Sequence, residues 1–80
     1  MTVRINCTIV DGLVPNEKIA QIRRADGKIE EVEVPVQSTE GSDRLLASEI
    51  GKRDNDVLIE LPRESTSGRW RVWVNASLVL

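Results

Sequence analysis

The apolar residues of this chain fall, run after run, at every second position. Val3, Ile5, Cys7 and Ile9 share one parity, and Arg4, Asn6 and Thr8 take the other. Val32, Val34 and Val36 alternate with Glu31 and Glu33, Val57, Ile59 and Leu61 with Leu58 and Glu60, and Trp70, Val72 and Val74 with Arg69, Arg71 and Trp73. A period of two sends successive side chains to opposite faces of an extended strand, so each run predicts a strand with one face buried. Arg44–Ile50 reads as a further short strand. Between the runs lies turn chemistry: Asp11-Gly12 and Val14-Pro15-Asn16, the polar loop from Gln37 to Asp43, the turn from Gly51 to Asp56, and the loop from Arg63 to Gly68 after Pro62.

Residues 17–25 admit two readings. Asn16 is a helix-cap type, Ile19 and Ile22 are three apart, and Gly27 would end a helix, which gives an α+β alternative with a short helix at 17–25. Against it, Asp26-Gly27 between two segments of β character is a hairpin signal, and the strand at 28–36 needs a neighbour. The hairpin is the preferred reading.

The expectation is therefore one all-β domain spanning residues 1–80. About five or six short strands joined by tight turns suit a strongly bent antiparallel sheet or a small barrel, where closure hides sheet edges, rather than an immunoglobulin-type sandwich. One helical turn is expected at Asn75-Ala76-Ser77. The stretch Arg71-Val-Trp-Val-Asn-Ala-Ser-Leu-Val79 resembles the close of a Src-homology-three-like barrel, where a strand, a single turn and a short strand follow one another. The resemblance covers residues 71–79 and implies the barrel fold. It does not imply proline-rich peptide binding: Leu78 stands where the ligand-binding members carry tyrosine and Asn75 where they carry proline, and their aromatic-rich N-terminal motif and acidic loop have no match.

Composition narrows the chemistry. There is no Phe and no Tyr, and Trp70 and Trp73 are the only aromatics, so Val, Ile and Leu must fill the core. With no His, the usual general base and the commonest transition-metal ligand are missing. Cys7 alone can build neither a zinc site nor an internal disulfide, and its place on an apolar face marks it as a core residue rather than a nucleophile. Asp54-Asn55-Asp56 begins like a calcium loop but lacks the glycine and the distal glutamate that complete one. No glycine-rich loop opens a helix, so no phosphate cradle is expected. Glu30, Glu31 and Glu33 suggest paired carboxylates, but strand geometry sends Glu31 and Glu33 to the solvent side, and the solvated reading is preferred. The expectation is a protein that is not an enzyme, with no cofactor and no metal.

The single Cys points to a reducing compartment, and the opening MTVRINCTIV has neither a long apolar run nor a small-residue cleavage site. A cytoplasmic location with no membrane contact is expected. Net charge is −2, which argues against a dedicated nucleic-acid binder. The charges are unevenly spread, however. Asp26–Asp43 holds six acids against Lys28, whereas Lys52–Arg71 holds five of the bases.

With Trp70 directed inward beside Val72 and Val74, the outer face of the last strand carries Arg69, Arg71 and Trp73, with Arg63 and Arg4 extending the patch. Arg and Trp are the residues most enriched at binding hot spots. The expected function is a binding module that takes a protein partner, through an acidic or extended segment, on this face. Self-association as a weak homodimer through a sheet edge is the variant of that reading, with a monomer otherwise. The alternative is a small-barrel binder of single-stranded nucleic acid, with Trp73 as a stacking platform. A competing account of the same residues pairs the arginines with Glu31, Glu33 or Glu60 and covers Trp73 with the Leu78-Val79-Leu80 tail.

Overall fold

The alternating run at the N-terminus does not stay in one sheet. In the computed structural model, which describes residues 1–80, it breaks at Cys7 into β1 (Thr2–Asn6) and β2 (Thr8–Asp11). These two strands belong to different antiparallel sheets. The sequence continues through β3 (Glu17–Arg23), β4 (Ile29–Pro35), a 3-10 turn (Val36–Ser38), β5 (Thr39–Glu40), β6 (Arg44–Arg53), β7 (Asp56–Glu60), β8 (Arg71–Asn75) and a final 3-10 turn (Ala76–Leu78). The larger sheet has the order β1-β6-β7-β8, with β5 also paired to β6, and the smaller has the order β2-β3-β4.

All-β is the fold class, and the sheets are not closed into a barrel. There are eight strands rather than five or six, because the first run is divided between the sheets and the loop at 37–43 contains the two-residue β5. Residues 17–25 form no helix. Glu17–Arg23 pairs in continuous antiparallel register with Ile29–Pro35. The Asp26-Gly27 turn sets that register: Gly27 takes a φ of 87°, which a side chain would strain, and the Asp26 carboxylate accepts the Lys28 backbone N–H. The expected helical turn forms at Ala76–Leu78, its open end capped by Asn75, whose Oδ1 accepts the Ser77 N–H at 2.9 Å.

One core lies between the two sheets. Its inward positions are the ones parity selects: Val3, Ile5, Leu45, Ala47, Val57, Ile59, Val72 and Val74 from the larger sheet, and Ile9, Ala20, Ile22, Val32 and Val34 from the smaller. Nearly all are aliphatic and β-branched or small, which lets the sheets approach closely without aromatic spacers. Val36, expected on this face, is instead exposed, because the chain leaves β4 at Pro35 and turns. Backbone bonds stitch the sheets together at their margins. Cys7 and Ile9 donate to the Asp43 and Ser42 carbonyls, Thr66 donates to Glu31, and Ala25, at the tip of the β3–β4 hairpin, donates to the Trp73 carbonyl at 2.8 Å. The C-terminal tail meets the free edge of β1 through the Ile5–Val79 bridge and a bond from Leu80 N–H to the Arg4 carbonyl. No helix is long and apolar enough to cross a membrane.

Candidate functional site

The outer face of β8 is set by its pairing with β7. Val72 and Val74 face the core, so Arg71 and Trp73 stand on the opposite side, next to Glu60 and Leu58 of β7. One expectation fails here: Trp70 is not inside. It lies just before β8, and 53% of its surface is exposed. Residue 70 is outside β8, which begins at Arg71, so the strand's alternation does not extend to its indole. It lies on the rim instead, lining a shallow hollow with Leu46, Leu61 and Pro62. That hollow is the larger of the two described here, but Glu60 is its only ionisable residue, so it offers a ligand little polar specificity.

A second depression of about 410 Å³ contains the predicted face. Arg69, Arg71 and Trp73 line it, together with Arg24 and Asp26 from the β3–β4 hairpin, Arg53 from the end of β6 and Asp56 from the start of β7. Four guanidinium groups thus meet two carboxylates in one groove, on a protein whose net charge is −2. The basic excess is local.

Each cation is differently engaged. Arg53 lies over the Trp73 ring, 4.4 Å from its centroid, a cation–π stack that holds the guanidinium plane while leaving its edge free. Its side chain belongs to none of the protein's ion pairs. Arg71 Nε donates to Glu60 Oε2 at 3.2 Å, directly across the β7–β8 register. Of the pairings expected in the competing account, this one forms; the indole is covered by Arg53 and not by the C-terminal tail. Arg69 is half exposed, with Nε 3.7 Å from the Glu30 carboxylate. Arg24 is bound by Asp26 and donates through Nη1 to Glu30 at 3.0 Å.

Glu30 is the anchor behind the groove. Its carboxylate is 98% enclosed, since only 2% of the residue is exposed. One oxygen accepts from the Ser65 and Ser67 hydroxyls, and the other faces Arg24 and Arg69. Burial is the largest single influence on this carboxyl and pushes it upward. The hydrogen bonds from Ser65, Ser67 and Arg24 together outweigh burial and hold it below its usual range. Glu30 thus differs from Glu31 and Glu33, the carboxylates expected on the solvent side. Parity would have found it, because Glu30 lies two residues before Val32 on the same face and opposite the buried Ile22.

Arg63 is the predicted residue the groove does not gather. It forms a two-pronged pair with Glu17 at the start of β3, and Arg4 is paired with Glu40 at 2.6 Å. Arg53 and Arg24 were not anticipated. An unbroken alternation from Leu45 and Ala47 would place Arg53 inside. A one-residue bulge between Glu49 and Gly51 reverses the faces, so Glu49 sits opposite the buried Ile59 while Gly51 sits opposite the outward Leu58. Arg53 is thereby turned outward toward Trp73.

Fold and site together define a small all-β domain of two antiparallel sheets carrying an Arg-rich groove around one tryptophan. No protein-family model, curated protein or solved structure matches the chain.

Proposed function

We propose that this protein is a non-enzymatic interaction module of the cytoplasm that takes a protein partner on the outer face of β8, with no cofactor. The observation that carries the reading is the convergence of Arg53, Arg69 and Arg71 on Trp73 in one open groove. An aromatic flanked by guanidinium groups supplies apolar contact area and charge-assisted donors in one place, the combination that concentrates binding energy at interfaces. The same groove gives little support to nucleic acid. It has a single aromatic platform, already stacked by Arg53, and the surrounding protein is acidic overall.

At fold level we propose a Src-homology-three-like arrangement. Support comes from the order of β8, the 3-10 turn and a tail that bridges to β1, and from β6, which serves β1 with its first half and β7 with its second. The test of function is affinity capture from native cell extract with wild type beside Arg71→Ala/Trp73→Ala. A partner recovered by the wild type and lost by the variant supports the reading. Equal recovery by both overturns it.

A further inference from the structure

The groove has a spacing as well as a charge. Arg71 and Trp73 share the outward face of β8 one strand repeat apart, Arg69 lines the same groove from the segment just before the strand, and Trp73 carries the Arg53 guanidinium on its ring. In extended chain, alternate residues are about 7 Å apart. An extended ligand repeats its own same-face side chains at the same interval. Of the three cations, Arg53 has no side-chain hydrogen bond, Arg69 is half exposed with an ion pair to Glu30 at 3.7 Å, and Arg71 holds a single bond to an exposed Glu60. Guanidinium donors left over from such contacts are what a carboxylate needs for a forked contact.

We infer that the partner segment is an extended peptide with acidic residues at alternate positions, their carboxylates taken by Arg69, Arg71 and the Trp73-stacked Arg53. The inference rests on the β8 reading above and adds the chemistry and spacing of the ligand. Arg71 exchanges Glu60 for the ligand carboxylate. Arg24, already saturated by Asp26 and Glu30, forms the groove wall and contributes only long-range attraction. Binding is salt-sensitive, because the contacts lie in solvent.

The test uses a short synthetic peptide of alternating Glu and Thr, titrated into ¹⁵N-labelled protein while the backbone amides of residues 69–74 and the arginine Nε–H signals are followed. Three comparison ligands accompany it: the same peptide with Gln for Glu, a peptide of equal charge with its Glu residues contiguous, and single-stranded oligo-dT. The expected result is that the alternating acidic peptide binds tightest and moves the Arg53, Arg69 and Arg71 side-chain signals. Arg53→Ala and Arg69→Ala each weaken it roughly ten-fold, the loss typical of a charge-assisted contact. Arg53→Lys, which keeps the charge and loses the fork, recovers part of that. Equal binding of the Gln peptide removes the carboxylates from the account, and equal binding of the contiguous peptide removes the spacing. Binding of oligo-dT alone, or no shift with any peptide, overturns the inference. The capture experiment then decides separately whether the β8 face holds a partner at all: a partner still lost in Arg71→Ala/Trp73→Ala leaves that reading standing.

Discussion

Glu30 shows how much a single buried charge organises here. Its carboxylate ties the Ser65–Arg69 loop to the β3–β4 hairpin and holds two of the groove arginines. Glu30→Ala is expected to destabilise the domain by about 2–4 kcal/mol, since it leaves Arg24 Nη1 and two serine hydroxyls without their acceptor. Urea denaturation measures this, and a loss below about 0.5 kcal/mol, the level of an ordinary surface change, would contradict the cluster's role. Acid acts on the same region. The Asp26 carboxyl is pulled down from 3.8 to about 2, first by the hydrogen bond from Arg24 and then by the Lys28 N–H. A carboxyl lowered in the folded state stabilises above its unfolded value and loses that contribution as pH falls through the folded one. Melting temperature should therefore drop between pH 3.8 and about 2, and the Asp26→Asn variant should show a shallower drop over the same window. At Cys7 burial, followed by the nearby Asp43 charge, raises the thiol from 9.0 to about 11. Two units leave about a hundred-fold less thiolate near neutral pH, so the folded protein should react with iodoacetamide far more slowly than the urea-unfolded protein. Rapid modification in the folded state would reopen a catalytic reading of Cys7.

Among the elements, the β3–β4 hairpin was legible and the course of β6 was not. Asp26-Gly27 announces a turn because its geometry needs a residue free to take positive φ, and the valines at 32 and 34 name their buried face. Gly27→Ala should accordingly cost about 1 kcal/mol through backbone strain alone, because the space beside its Cα is open. The bulge near Ile50 reverses every later face, and its one mark, Gly51, also reads as the start of a turn. Arg53 was missed because Gly51–Asp56 reads as a turn whereas β6 runs on to Arg53, and Trp70 was misplaced because β8 begins only at Arg71. The stack of Arg53 on Trp73 can be checked directly. In a Trp70→Phe background, Arg53→Ala should raise acrylamide quenching of Trp73. No change in quenching would mean that the guanidinium does not shield the ring.

At the scale of the whole molecule, two sheets share a single aliphatic core, and the charge divides between them. The acid-rich stretch from Asp26 to Asp43 includes all of β4, while Arg4, Arg44, Lys52, Arg53 and Arg71 lie on strands of the larger sheet. A basic groove on an acidic body is selective: it attracts an anionic segment locally while the net charge discourages indiscriminate association with polyanions. Everything functional in this account depends on the two indoles having different roles, Trp73 in the groove and Trp70 on a separate rim. The most direct measurement uses two single-tryptophan proteins, Trp70→Phe and Trp73→Phe, each titrated with the partner recovered by capture while indole emission is recorded. The account predicts a saturable change from the protein that retains Trp73 and none from the one that retains Trp70. A response carried by Trp70 alone would place the binding surface in the neighbouring hollow that Trp70 lines with Leu46 and Pro62.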